Sequence, residues 1–127
     1  MRKRRGGARR AVLAAAVAAA GGCGFLSRAE TESPEQVQVR EAQEERIRQE
    51  VEARLAAEPS IGPGRVRAEV QRGGEVALHG AVTGFGALQC AVANAELVRG
   101  VRLVIDHLVL QPGPRTVQCL APRAFPA

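Results

Sequence analysis

The sequence predicts a small α+β domain, an α-β-β-α-β sandwich in which a three-stranded mixed sheet carries two helices on one face. Three observations support this fold class. A charged segment with helical spacing begins at residue 33, and two segments of alternating hydrophobicity follow it. An alanine-rich segment with helical spacing comes next, before a last strand that is rich in valine and leucine. A chain of 127 residues has room for one such domain.

The first helix is predicted from its start signal and its apolar stripe. Residues 33–36, Ser-Pro-Glu-Gln, form a capping box with proline at the first helical position. Apolar side chains then recur every four residues, at Ile47, Val51 and Leu55. Two ion pairs one turn apart are expected to support the helix, Glu44–Arg48 and Glu50–Arg54. Residues 58–60, Glu-Pro-Ser, end it.

The rest of the domain is predicted from changes in hydrophobic period. Residues 65–71 alternate strictly, residues 72–74 supply a glycine turn, and residues 75–82 return as the second strand of a hairpin. Gly84-Phe85-Gly86 is expected to break that strand. A helix follows over residues 87–99, and a last strand over residues 102–110 has Leu108 and Leu110 in phase with the core.

The N-terminus is typical of a secretory signal peptide. A cationic stretch precedes ten uncharged apolar residues, which are too few to span a bilayer, since a spanning helix needs about 20. Gly21-Gly22-Cys23 resembles a bacterial lipobox, although Ala20 stands where that motif prefers leucine. The resemblance implies that Cys23 is lipidated. Ordinary cleavage after Ala18-Ala19-Ala20 is the alternative, and it would release a soluble secreted protein.

These signals divide the chain into four parts. Residues 1–22 are the signal peptide, residues 23–32 a polar lipidated tether, residues 33–112 the folded domain with its N-terminal helix, and residues 113–127 an irregular tail. The residue directly after Cys23 is Gly24 and not an aspartate. By resemblance to Gram-negative lipoprotein sorting, this favours the periplasmic face of the outer membrane.

Charge excludes a nucleic-acid partner. Of the 18 basic residues, six lie in the first ten positions, so that 12 arginines face 13 acidic residues from Cys23 onwards. A nucleic-acid binder needs its positive charge on the folded domain. The sequence also has no tryptophan or tyrosine on which bases could stack.

The second strand and second helix match a known family pattern. Residues 76–82 read Val-Ala-Leu-His-Gly-Ala-Val, the helix carries Ala91 and Ala95, and residues 100–104 read Gly-Val-Arg-Leu-Val. Over residues 43–110 the chain resembles the BON domain, a module of bacterial envelope proteins, although Asp106 stands where the family often has asparagine. We expect Gly80 to sit where a side chain would collide with a packed helix.

The resemblance implies a non-catalytic envelope protein that binds phospholipid membranes and supports envelope integrity or stress tolerance. Family members commonly carry two BON copies and this chain carries one, so no lipid-binding residue can be transferred by position. The alternative is a periplasmic protein-protein interaction module, tethered or soluble. Its partner would be an envelope protein or a second copy of the chain.

The sequence offers no catalytic residues, cofactor site or metal site. It has two histidines, one aspartate and no nucleophile or phosphate-loop motif. His79 and His107 are predicted on the sheet face opposite the helices. A metal pair there is conceivable, but two unrelated exposed histidines is the favoured interpretation.

Two further features are candidate contacts. Cys90 and Cys119 are candidates for a disulfide, because lipidation of Cys23 leaves two cysteines in an oxidising compartment. The alternative is a buried Cys90 and a free thiol in the tail. The last strand also carries a candidate contact face, formed by aliphatic residues that are out of phase with the core: Leu103, Ile105 and Val109. Ala77 and Ala81 of the second strand are expected on the same side of the sheet.

Overall fold

The computed structural model describes residues 31–122, and these confirm the predicted fold class. The elements are α1 (Pro34–Ala57), β1 (Val66–Gln71), β2 (Glu75–Thr83), α2 (Phe85–Glu96) and β3 (Leu103–Gln111). The predicted signal peptide, the lipidation residue Cys23 and most of the predicted tether lie outside the described residues. The last five residues of the predicted tail lie outside them as well.

α1 begins at the predicted capping box and buries the predicted stripe. The Ser33 hydroxyl accepts a hydrogen bond from the Gln36 backbone N–H at 3.3 Å, and the Gln36 side chain accepts from the Ser33 N–H at 2.9 Å. The buried side chains of this helix are Ile47, Val51 and Leu55. Within the described part of the chain, no helix is long and apolar enough to cross a membrane.

The predicted pairing of Glu44 with Arg48 is wrong. Glu44 instead accepts from Arg40 at 3.0 Å. Arg48 lies between two other carboxylates, at 2.6 Å from Glu45 and 2.8 Å from Glu52. Because these carboxylates stand three residues before and four residues after Arg48, both lie within reach on one helix face.

The Arg48 contact lowers the pKa of a neighbouring carboxylate. Hydrogen bonds from Arg48, and then from Gln49, lower the pKa of Glu45 from 4.5 to about 2. Any stabilisation from this shift is present above pH 4.5 and is lost as the pH falls from 4.5 towards 2. Glu50 contacts Arg54, as predicted, at 4.0 Å.

The sheet has the strand order β1-β2-β3, with β2 antiparallel to β1 and parallel to β3. In this register Leu78 lies between Ala68 and Asp106, and even-numbered residues share the face covered by the helices. Odd-numbered residues point to the opposite side. We call that side the open sheet face.

The core lies between the sheet and the two helices. α2 contributes fully buried small residues at Ala87, Ala91 and Ala95, which lets the helix backbone approach the sheet closely. α2 begins at Phe85, earlier than predicted, because Gly84 takes φ +90° and caps it. Gly86 then belongs to the first turn, where a side chain would press on the backbone of residues 115–117.

Two expectations about buried positions are wrong. Gly80 is exposed, and a Cβ there would collide with the Arg65 carbonyl oxygen next to β1 instead of with a helix. Leu110 has the phase of the core but is 50 % exposed. β3 is an edge strand, and its C-terminal end extends beyond the cover of the helices.

Candidate functional site

The open sheet face carries the predicted contact residues, although not all of them are exposed. Leu103 is 51 % exposed and Val109 is 63 % exposed, whereas Ile105 is half-buried. Ala77, expected on this exposed side, is buried. It lies between Glu69 and Ile105 in the sheet register, and these longer side chains shield its single methyl group.

A second apolar surface lies at the C-terminal end of β3. It consists of three exposed side chains that come from both faces of β3 and from the start of α2: Phe85, Val109 and Leu110. We call these three residues the apolar tip. Phe85 and Leu110 line one shallow depression, and Arg115 lines it with them. The sequence does not predict this surface, because Phe85 lies in an apparent break between elements and Leu110 has the phase of the core.

Three arginines line depressions on the domain, and one of them, Arg115, borders the apolar tip. Arg115 belongs to the depression just described, and at the start of β1 the side chains of Arg65 and Arg67 line another depression with His79. Among the described residues, none of these three arginines makes an ion pair. The acidic residues are concentrated on α1, which carries seven of the 13 when the buried residue at its C-cap is included. The net charge of the domain therefore conceals a local excess of positive charge.

The two histidines lie side by side in the middle of the open sheet face. His79 on β2 and His107 on β3 are directly paired in the parallel register. Their rings stack with centroids 5.2 Å apart and an interplanar angle of 14°. His79 Nε2 also lies 3.2 Å from Glu69 Oε2 on β1. The structure thus brings together two residues that the sequence treats as unrelated.

A buried carboxylate holds the C-terminal tail against the helices. Glu58, the C-cap of α1, is 1 % exposed. Its carboxylate accepts from the backbone N–H groups of Leu120 at 2.9 Å and Ala121 at 3.2 Å. It also accepts from Asn94 Nδ2 at 2.9 Å, and Asn94 donates to the Cys90 carbonyl at 2.9 Å. The donors Asn94, Leu120 and Ala121 therefore satisfy the oxygens of this buried carboxylate.

The same tail is linked to α2 by a disulfide between Cys90 and Cys119. A disulfide sulfur carries no hydrogen, so the short contacts of Cys119 Sγ with Glu58 and with Cys90 O are not hydrogen bonds. Glu58 and the two sulfurs lie within 4.8 Å of one another, a spacing that could suit a metal. The sulfurs are bonded to each other, however, and the carboxylate already accepts three hydrogen bonds. This cluster is therefore structural.

The sequence carries one local signal for this tail contact. Asn94 lies three residues after Ala91, in the buried phase of α2, where an amide needs hydrogen-bond partners. No sequence pattern identifies Glu58 as its partner, because the two residues are 36 positions apart.

Comparison with known families decides the identity of the domain. The model of the BON domain family matches residues 43–112, which is more than half of the chain. The chain belongs to the BON domain family. No curated protein and no solved structure matches it.

Membership has direct consequences for the type of function. BON domains are non-catalytic binding modules that are associated with phospholipid membranes and with the cell envelope. The matched segment begins within α1 and ends one residue after β3, so it includes the whole apolar tip and the histidine pair. The tail that Glu58 and the disulfide hold in place lies outside the matched segment.

Proposed function

We propose that the mature protein is a non-catalytic envelope lipoprotein whose BON domain binds phospholipid membrane and supports envelope integrity or stress tolerance. In this proposal residues 1–22 are removed, Cys23 carries the lipid, and the domain faces the periplasm from the outer membrane. The observation that supports membrane binding best is the apolar tip with Arg115 beside it.

The apolar tip has the chemistry of a shallow membrane contact. Phe85, Val109 and Leu110 are exposed by 49 %, 63 % and 50 %, and burial of apolar surface is favourable by about 25 cal/mol per Å². Arg115 can place its guanidinium on lipid phosphates while the three side chains enter the acyl boundary. A basic residue near an anionic membrane surface contributes about 1 kcal/mol. Together these contacts give reversible binding.

A lipid anchor would make such weak binding sufficient. Residues 23–32 separate Cys23 from α1, so the anchored domain would stay within tens of ångströms of the membrane. The second contact is then intramolecular, with an effective concentration of roughly millimolar for a short flexible tether. The tip would orient a domain that the anchor already holds.

The disulfide supports export. Disulfides persist in oxidising compartments such as the periplasm and are rare in the cytosol. With Cys90 bonded to Cys119, Cys23 is left as the remaining cysteine of the chain. A lipid on its sulfur would leave the mature protein without a free thiol.

Vesicle cosedimentation of the mature chain with Cys23→Ser tests membrane binding without the anchor. We expect retention on vesicles of phosphatidylethanolamine and phosphatidylglycerol. Leu110→Ser should weaken partitioning about fivefold, because half of a leucine side chain is worth roughly 1 kcal/mol of burial.

Leu103→Ser is the matched control. It removes the same side chain with nearly the same exposure, 51 % against 50 %, from the other end of β3, about 20 Å away. We expect it to bind vesicles within twofold of the parent chain. Membrane binding by the tip is wrong if no vesicle composition retains the parent chain, or if both serine variants lose binding equally.

The alternative function is a protein-protein interaction module, and the aliphatic residues on the open sheet face favour it. The open sheet face of β3 carries three aliphatic residues on the side away from α1 and α2: Leu103, Ile105 and Val109. The Leu103→Ser substitution would lower the affinity of this surface for a partner protein or for a second copy of the chain. Loss of crosslinked complexes in Leu103→Ser, combined with unchanged vesicle binding, would identify the open sheet face as a protein contact.

A further inference from the structure

Three metal-ligand side chains converge on adjacent strands of the open sheet face. Glu69, His79 and His107 come from β1, β2 and β3, one from each strand. His79 and His107 are opposite each other in the register, and Glu69 is diagonal to His79. A rigid sheet therefore presents all three side chains on the same side.

One of the ligand distances already suits a bound divalent ion, and the third ligand must turn towards it. Zn²⁺ binds imidazole nitrogen and carboxylate oxygen at about 2.0–2.2 Å, so two ligands at a tetrahedral angle stand roughly 3.3 Å apart. Glu69 Oε2 and His79 Nε2 are 3.2 Å apart. The His107 ring is stacked on that of His79 with centroids 5.2 Å apart, so metal binding requires the His107 side chain to rotate out of the stack and turn a nitrogen towards the ion.

We propose that Glu69, His79 and His107 form a binding site for a divalent transition-metal ion of the zinc class. Two imidazoles and a carboxylate supply three ligands, and water completes a tetrahedral shell on the exposed side. This site is independent of membrane binding, since it lies in the middle of the sheet and the apolar tip lies at the end of β3. It also replaces the favoured sequence interpretation of two unrelated exposed histidines.

The charged surroundings set the expected strength of binding. Arg67 pairs directly with His79 across β1 and β2, and Arg65 lines the same depression. Both positive charges oppose a cation, and among residues 31–122 Glu69 is the carboxylate in contact with the pair. Arg67 is therefore expected to weaken the site, and Arg67→Gln should bind the metal more tightly than the parent chain does.

Histidine chemistry makes the site simple to test. The chain contains two histidines, His79 and His107, so any histidine-dependent binding must involve at least one of them. With Cys23→Ser and the disulfide intact, no thiol competes for the metal. Titration calorimetry with Zn²⁺ and with Mg²⁺ can use the full mature chain, because Arg67, His79 and His107 are exposed and their substitution leaves the core intact.

We expect saturable binding of one Zn²⁺ per chain, reversal by a chelator, and no binding of Mg²⁺, which prefers oxygen ligands. His79→Gln and His107→Gln should each weaken Zn²⁺ binding by about tenfold or more, and Arg67→Gln should strengthen it. Glu75→Gln, an acid on the same sheet face, is the control and should leave binding unchanged. The site is refuted if the parent chain shows no saturable Zn²⁺ binding, or if His107→Gln binds as tightly as the parent.

Discussion

Leu78→Ala is expected to lower the free energy of unfolding by about 2–5 kcal/mol. Leu78 is fully buried in the central strand, between Ala68 and Asp106 in the register and beneath both helices. Its truncation would leave a cavity that the small alanines of α2 cannot fill. A domain of this size is stable by roughly 5–15 kcal/mol, so the variant could lose much of its stability. Urea denaturation followed by circular dichroism measures the change.

Leu110→Ala is the matched control for the core prediction. It makes the same chemical change at a position on the same face of the sheet, but Leu110 is 50 % exposed at the end of an edge strand. We expect a loss within about 0.5 kcal/mol, as for an ordinary surface substitution. Equal losses in the two leucine variants would contradict the assignment of the core.

Glu58→Ala is expected to lower the free energy of unfolding by about 2–4 kcal/mol. Removal of the carboxylate leaves the N–H groups of Leu120 and Ala121 without their acceptor, and Asn94 Nδ2 keeps only its bond to the Cys90 carbonyl. The disulfide keeps the tail close to α2, so these donors cannot all move freely into water. Glu96→Ala, an exposed acid on α2, is the control and should have little effect.

Hydrogen exchange separates a local effect of Glu58→Ala from a global one. The Leu120 and Ala121 amides should lose protection in Glu58→Ala more than the amides of the central strand do. Retained protection at those two amides would contradict the role assigned to Glu58.

The sequence was sufficient for every element whose signal is local. The capping box at Ser33, the stripe on α1, the hairpin around Gly73 and the helical spacing of Ala91 and Ala95 each depend on neighbours within a few residues. The strand bounds agree with the structure to within one residue at each end. The family pattern lies within this locally determined part, which explains why the fold could be predicted.

Contacts between distant segments could not be predicted in the same way. Glu58 accepts from residues 62 and 63 positions further along the chain, and no period in the sequence connects them. Gly80 is predicted to face a helix, whereas its close approach to the Arg65 carbonyl depends on how the whole of β1 pairs with β2. The apolar tip likewise requires that β3 be an edge strand.

The candidate site was predicted only in part. The hydrophobic phase of β3 placed Leu103 and Val109 on an exposed face, but neighbouring side chains decided that Ala77 is buried. Alternation also placed both histidines on that face. Their stacking depends on the parallel register of β2 and β3, which sequence periodicity alone does not determine.

Mass spectrometry of the protein from membranes of its native host, with Cys23→Ala for comparison, most directly tests whether this BON protein works as a membrane-anchored lipoprotein. We predict a mature chain that begins at Cys23 with a diacylglycerol adduct, and a Cys23→Ala variant that is lost from the membrane fraction. A mature chain that begins at Gly21 with an unmodified Cys23 would contradict the anchor. It would make the protein a soluble secreted domain and favour the protein-protein interaction module.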